Sequence, residues 1–155
     1  LARSRGLGDV YKRQVSGRIK HFLSAFGEHV ISEEVEKAME AATKLHNVAI
    51  REFTVAPNIN PIDMLPHHEW YIEFENFPED MSAFTKSLDN EMINQNIYYK
   101  DLIDGKILKS LEVISVERGG FNNYMKSVGR LGGQNKVPRL SNDRKIADKL
   151  KTINS

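Results

Sequence analysis

Residues 67–75 read HHEWYIEFE, and this stretch decides the fold class because its side chains alternate with a period of two. In an extended chain Trp70, Ile72 and Phe74 lie on one face, while Tyr71 and three glutamates lie on the other. Such alternation predicts a half-buried β-strand. The fold therefore contains a sheet with one face against an apolar core.

Two further strands are predicted on either side of this stretch. Residues 48–55 again alternate between apolar and polar side chains. The connection between these two strands contains Pro57, Pro61 and Pro66, so we expect a loop without regular structure. Residues 111–116 carry apolar side chains on both faces, which predicts the central strand of the sheet.

Helices are predicted where apolar residues recur every three or four positions. The first runs over about residues 33–46 and follows Ser32, a residue type that caps helix N-termini. Four more are predicted: one capped by Asp80 or Ser82, a short one within 97–108, one over 121–128, and a last one capped by Ser141 or Asn142. This order predicts an α+β domain, a small mixed or antiparallel sheet of three to five strands flanked by helices.

The composition excludes several classes of protein. The 155 residues include no cysteine, which excludes a disulfide scaffold, cysteine-ligated zinc, iron–sulfur clusters and cysteine nucleophiles. No apolar run approaches the roughly 18 residues of a membrane span, and no signal peptide is visible. We therefore expect a cytoplasmic protein without a membrane partner.

Residues 1–14 differ from the remainder, and DVYKRQ, residues 9–14, resembles a translated transposon-end sequencing adapter. These 14 residues hold four of the 22 basic and one of the 21 acidic side chains, so the other 141 residues carry 18 and 20. A net charge of about −2 gives no support for a nucleic-acid partner. We expect the protein's own sequence to begin near Val15, part-way through a longer chain.

Two segments contain residue types that bind phosphate. Residues 17–36 place basic side chains before a turn at Gly27 and an acid-rich helix start, and residues 129–139 combine glycines with Lys136 and Arg139. Each segment also fits a simpler structure, a surface hairpin or a solvated turn. The second segment is not a Walker A loop, because G-x-x-x-x-G-K-[ST] is absent.

The histidines do not predict a metal site. His67 and His68 are adjacent on a strand and point to opposite faces, so they cannot readily bind one ion. No Ser/His/Asp order or nucleophile elbow is visible either.

The segments together resemble a known family. Residues 17–36, GRIKHFLSAFGEHVISEEVE, are similar to the hinge motif of adenylate-forming enzymes, roughly G-R-x-[DK] … G-x-x-I … E-I-E. SAFGEHV, HHEWYIEFE, NIYYKDLIDG and GGFNNYMKSVGRLGGQNKVPRLSNDR, in that order, resemble the carboxy-terminal domain of the auxin-responsive (Gretchen Hagen) family of acyl-acid–amido synthetases, in its bacterial form. The resemblance extends over residues 15–151.

The resemblance implies a two-domain, ATP-dependent acid–amine ligase. Such an enzyme converts a carboxylic acid to an acyl-adenylate and transfers the acyl group to an amino acid or amine. ATP and Mg²⁺ would be bound mainly by an amino-terminal domain that precedes this chain. Residues 15–26 would form the hinge and first strand, and residues 27–155 the mobile lid. The chain alone is expected to bind no cofactor and to be inactive; its partners would be its amino-terminal domain and the two substrates.

The resemblance also implies roles for individual residues. Lys136 is the catalytic candidate, a lysine that meets the phosphates only when the lid closes. Lys20 occupies the hinge position, and Gly27 marks the turn after it. Nucleotide or phosphate contacts are implied for Arg18, His29, Gln134, Asn135 and Arg139. His29 stands where plant relatives carry a lysine, and a neutral imidazole is a weaker phosphate partner.

Other functions remain open from the sequence. The hinge motif is shared with acyl-thioester ligases, so coenzyme A is an alternative acyl acceptor. A non-catalytic phosphate-binding or interaction module would also account for the glycine-rich loop.

Overall fold

The computed structural model describes residues 22–129 and 137–153. Within them the elements are β1 Phe22–Leu23, β2 Val30–Ile31, α1 Ser32–His46, β3 Ala49–Asn58, β4 His67–Asn76, α2 Met81–Gln95, α3 Ile97–Asp104, β5 Glu112–Val116, α4 Gly120–Ser127 and α5 Lys145–Ile153. The predicted α+β class is confirmed. Residues 15–21 of the predicted hinge and the 1–14 segment lie outside the described residues.

The main sheet is mixed and has the order β3-β4-β5. β3 and β4 are antiparallel, and β4 and β5 are parallel. β1 and β2 form a separate antiparallel hairpin. A parallel bridge between Val55 and Leu140 adds one further contact to the outer edge of β3. The segment that follows residues 130–136 is therefore attached directly to the sheet.

The prediction of the central strand is wrong. Among the described strands β4 lies in the centre, and β5, predicted there, is an edge strand that pairs with β4. The predicted half-burial of β4 is also wrong, because Glu69, Tyr71 and Glu73 are as buried as the apolar face. Their carboxylates and hydroxyl tolerate burial because hydrogen-bond donors and charged partners from other elements reach them.

β3 is longer than predicted. It continues through Pro57 to Asn58, which pairs with His67. Proline lacks the backbone N–H and is therefore tolerated in an edge strand. β3 is an edge strand of the described sheet. The irregular loop is correspondingly shorter than the prolines suggested.

The helix starts are mostly as predicted, with two corrections. The Asp80 side chain caps α2 by accepting a hydrogen bond from the Ala83 amide at 3.1 Å. At α1 the cap position is Ile31 rather than Ser32, and the Glu34 carboxylate accepts from the Ile31 amide at 3.0 Å. α5 begins at Lys145, whose amide donates to the Asp143 carboxylate at 3.0 Å, so the start lies beyond the predicted Ser141 and Asn142.

The sheet lies between two helical layers. α1, α2 and α3 pack on the face of β4 that carries Trp70, Ile72 and Phe74. α4 and α5 pack on the opposite face around Tyr71. Over residues 22–129 and 137–153, each helix is too short or too polar to cross a membrane.

Candidate functional site

The predicted site residues fall into two groups. Gly27, His29 and Arg139 belong to the described part of the chain. Arg18, Lys20, Gln134, Asn135 and Lys136 lie outside it, within residues 1–21 and 130–136. The structure therefore defines the supports on which the predicted phosphate loop and hinge are mounted.

The turn predicted at Gly27 joins β1 to β2. Gly27 has φ of +91°, a conformation that L-side chains rarely adopt, and its amide donates to the Ser24 carbonyl at 3.1 Å. His29 also has a positive φ, of 48°, and its ring meets Tyr98 edge-on at a centroid distance of 6.2 Å. The Asn96 side chain donates to the His29 carbonyl at 3.3 Å. Contacts on both sides of the turn thus define the hairpin geometry.

A buried contact between a glutamate and a histidine joins this hairpin to the main sheet. Glu28 Oε2 lies 2.6 Å from His68 Nε2, and neither side chain is exposed. Glu28 Oε1 accepts from the Phe26 amide at 2.8 Å, and the His68 ring packs on Tyr99 at 5.2 Å. Burial alone would raise the pKa of Glu28, but the hydrogen bond and charge of His68 lower it overall. The carboxylate therefore stays ionised and anchors the turn to β4.

Arg139 connects the segment after the predicted phosphate loop to α1 and β3. Its guanidinium donates to Glu36 at 2.7 Å, to Glu52 and to the Phe53 carbonyl at 3.0 Å. It also lies over the Phe53 ring, 4.4 Å from the centroid. Burial would lower the pKa of Arg139, whereas the two carboxylates raise it, so the charge is retained.

Backbone hydrogen bonds attach the same segment to β3. The Val55 amide donates to the Arg139 carbonyl at 2.8 Å, and the Ser141 amide donates to the Val55 carbonyl at 3.1 Å. The Thr54 hydroxyl donates to the Pro138 carbonyl at 2.6 Å. The residues that directly follow 130–136 are thus held against β3 by hydrogen bonds.

The hairpin and the segment after the loop are in direct contact. The Ser24 amide donates to Asn142 Oδ1 at 2.8 Å, although the two residues are 118 positions apart. This bond brings together the two segments in which sequence analysis placed the phosphate-binding residues.

Sequence analysis missed Glu28, His68 and Asn142 as parts of this arrangement. Their partners lie 40 or 118 positions away, so no local pattern indicates the contacts. In the sequence, Glu28 directly follows the turn glycine Gly27, but this pattern by itself does not indicate a buried glutamate.

A family model described as the GH3 family C-terminal domain matches residues 33–145. The chain belongs to this family. The match confirms the resemblance drawn from the sequence motifs, and it includes the whole sheet.

Two solved structures have the fold of this GH3 C-terminal domain. A GH3.15 acyl acid amido synthetase is 18% identical, with a TM-score of 0.67 over 86% of the chain. The AtGH3.15 acyl acid amido synthetase in complex with 2,4-DB is 19% identical, with a TM-score of 0.67 over 88%. The matched region is 26% of each of those chains, so the present chain corresponds to about a quarter of them. A comparison with curated proteins finds no match.

Proposed function

We propose that this GH3 C-terminal domain is the mobile lid of an ATP-dependent acid–amine ligase. The ligase activates a carboxylic acid as an acyl-adenylate and transfers the acyl group to an amino acid or amine. The lid brings Lys136 to the phosphates when it closes over an amino-terminal domain that holds ATP, Mg²⁺ and the acid. Family membership and the share of the solved synthetases that the chain matches support the two-domain organisation.

The observation that carries the proposal is the Ser24–Asn142 hydrogen bond. It connects the hairpin just after the predicted hinge to the segment just after the predicted phosphate loop. A rotation at the hinge would therefore move residues 130–136 together with the hairpin. Such coupling is what a lid needs to deliver a loop residue to a site on another domain.

The charges of the described residues favour a lid over a self-contained nucleotide site. Arg139 already faces two carboxylates, those of Glu36 and Glu52, and Glu28 already binds His68, so both groups position the loop and turn. ATP is therefore assigned to the amino-terminal domain, with Arg18, His29, Gln134 and Asn135 as additional contacts from the lid.

Lys136 has the chemistry that adenylation requires. Attack of the acid carboxylate on the α-phosphate develops negative charge on the phosphate oxygens and on the departing pyrophosphate. The lysine ammonium reaches the phosphates only when the lid is closed. It therefore stabilises the charge of the transition state more than the charge of ATP bound to the open enzyme. Closure also excludes water that would hydrolyse the acyl-adenylate.

The test is acid-dependent ATP–pyrophosphate exchange by the full-length ligase that contains this chain. Lys136→Ala should lower the exchange rate at least about 100-fold, the usual effect of removing one transition-state contact. Lys149→Ala, on the exposed face of α5, is the matched control and should leave exchange unchanged. Exchange at the normal rate in Lys136→Ala would remove this lysine from the mechanism.

The acyl acceptor needs a separate measurement. With the acid that supports exchange, product formation is compared between a mixture of amino acids and coenzyme A. Formation of an amide is expected. A thioester would retain the lid mechanism but assign the enzyme to the acyl-thioester ligases.

A further inference from the structure

A polar cluster on the face of β4 opposite to His68 is not used by the proposed function. It consists of His67, Glu69 and Glu112, whose ligand atoms lie within 4.8 Å of one another. His67 and Glu69 are two positions apart on β4 and share a face, and Glu112 is the register partner of Glu69 on parallel β5. The strand pairing itself places one imidazole and two carboxylates side by side.

The His67 ring presents an unsatisfied nitrogen to both carboxylates. The side chain is only 1% exposed, and Nε2 has no hydrogen-bond partner. Nδ1 lies 3.1 Å from the Leu65 carbonyl, which can only accept, so Nδ1 carries the proton in the neutral ring. Nε2 then directs a lone pair towards Glu69 Oε2 at 3.5 Å and Glu112 Oε1 at 3.6 Å. One imidazole nitrogen and two carboxylate oxygens therefore converge on one point.

We propose that these three residues bind a divalent transition-metal ion, of which zinc is the representative. Ligands about 2.0–2.2 Å from a tetrahedral zinc ion are separated by roughly 3.3–3.6 Å, which agrees with both distances from Nε2. An imidazole ligand favours zinc or cobalt over magnesium and calcium, which prefer oxygen ligands only. Glu112 is 40% exposed, so the ion can enter from solvent and water can complete its coordination.

The outer contacts hold each ligand in place without occupying the metal position. The Leu65 carbonyl orients the His67 ring, and Lys109 binds Glu112 through Oε2, the oxygen that does not face His67. Tyr71 and Arg144 bind Glu69 Oε1, at 2.7 and 2.8 Å. Metal sites in proteins have the same organisation, in which second contacts fix the ligand orientation.

Glu69 Oε2 keeps capacity for an ion. It accepts one hydrogen bond from Asn58 Nδ2 at 3.2 Å, and a carboxylate oxygen has two lone pairs. The ion would connect the start of β4 to β5, next to the loop that joins β3 to β4. Sequence analysis predicted no metal here because it considered only the adjacent His67 and His68 as a pair.

The test uses the full chain, freed of metal with a chelator and titrated with ZnCl₂ alone by calorimetry. One saturable site per chain is expected, with a rise in thermal midpoint on zinc addition. CoCl₂ alone should give the visible absorption bands of a tetrahedral Co²⁺ ion. Absence of a one-per-chain site in the unmodified protein would overturn the proposal and leave His67 as a proton-bearing partner of the two carboxylates.

Two ligand variants have matched controls. Glu112→Gln and His67→Gln should weaken zinc binding at least about tenfold. Glu117→Gln, just beyond β5, and His46→Gln, at the end of α1, remove the same groups elsewhere and should bind zinc like the parent. Circular dichroism checks folding, and because Glu112 is partly exposed, its variant decides the result if His67→Gln does not fold. Unchanged affinity in Glu112→Gln would overturn the site.

Discussion

The two faces of β4 are both buried, yet different interactions compensate for their burial. On one face Trp70, Ile72 and Phe74 pack with α1 and α2 in a large apolar core. On the other, Glu69 and Glu73 are buried among hydrogen-bond donors beside a smaller core formed with α4 and α5. The polar face supports the elements on either side of residues 130–136, the predicted phosphate loop. We therefore expect one face to provide most of the global stability and the other to hold the helices on either side of the predicted loop.

The largest expected effect comes from the apolar face. Trp70→Ala removes a buried ring that stacks on Phe53 at 5.7 Å, and should lower the free energy of unfolding by about 3–5 kcal/mol. Denaturant unfolding followed by circular dichroism measures the change. Trp70→Phe should lose much less, because it keeps the stack and removes an indole N–H that has no partner. Equal losses in the two variants would contradict an apolar origin of the stability.

A smaller and more local effect is expected on the polar face. Glu73 accepts hydrogen bonds from the amides of Gly119 at 2.9 Å and Phe121 at 3.3 Å, at the start of α4. Glu73→Gln keeps the shape and removes the charge, and should cost about 1–2 kcal/mol, since hydrogen bonds to charged groups are the stronger ones. In Glu73→Gln the amide hydrogen-exchange rate should rise more in α4 than in β3.

The control for this variant is Glu75→Gln, which makes the same chemical change at a residue about half exposed. It should leave exchange in α4 unchanged. If Glu73→Gln accelerates exchange equally in α4 and β3, the two faces do not differ in the way proposed.

The smallest effect concerns the buried contact between Glu28 and His68, on the apolar side of β4. The pKa of Glu28 is lower in the folded protein than its ordinary value, so its ionised form stabilises the fold above about pH 4.5. That contribution is lost as the pH falls through the lowered folded pKa. Thermal midpoints of the chain and of Glu28→Gln should therefore differ at neutral pH and converge in acid. A difference that persists undiminished at pH 3 would exclude ionisation of Glu28 as its source.

Local patterns predicted most of the elements in this domain. The apolar spacing in α1 and α2, the Asp80 cap and the alternation in β4 are properties of neighbouring residues, so they could be read directly. The family could also be recognised, because the hinge-like segment and the glycine-rich loop occur in a characteristic order. The roles of Lys136, Gln134, Asn135, Arg18 and Lys20 stay predictions, since those residues lie outside the described ones.

Long-range contacts were not predictable in the same way. Glu28 meets His68, Ser24 meets Asn142, and Arg139 meets Glu52 across 40 to 118 positions of sequence. Each of these residues taken alone looks like an ordinary polar surface residue. The charged residues of β4 were predicted to face solvent for the same reason.

The sequence by itself determined the α+β class, the helices and strands, and membership of the GH3 family, because periodicity, caps and motifs depend on residues close together in the chain. Only the tertiary structure decided that β4 is the central strand, that the β1–β2 hairpin contacts the segment after residues 130–136, and that His67, Glu69 and Glu112 converge. Strand order and register join residues that are distant in sequence, and burial of a charge depends on partners that only the folded chain brings within hydrogen-bond distance.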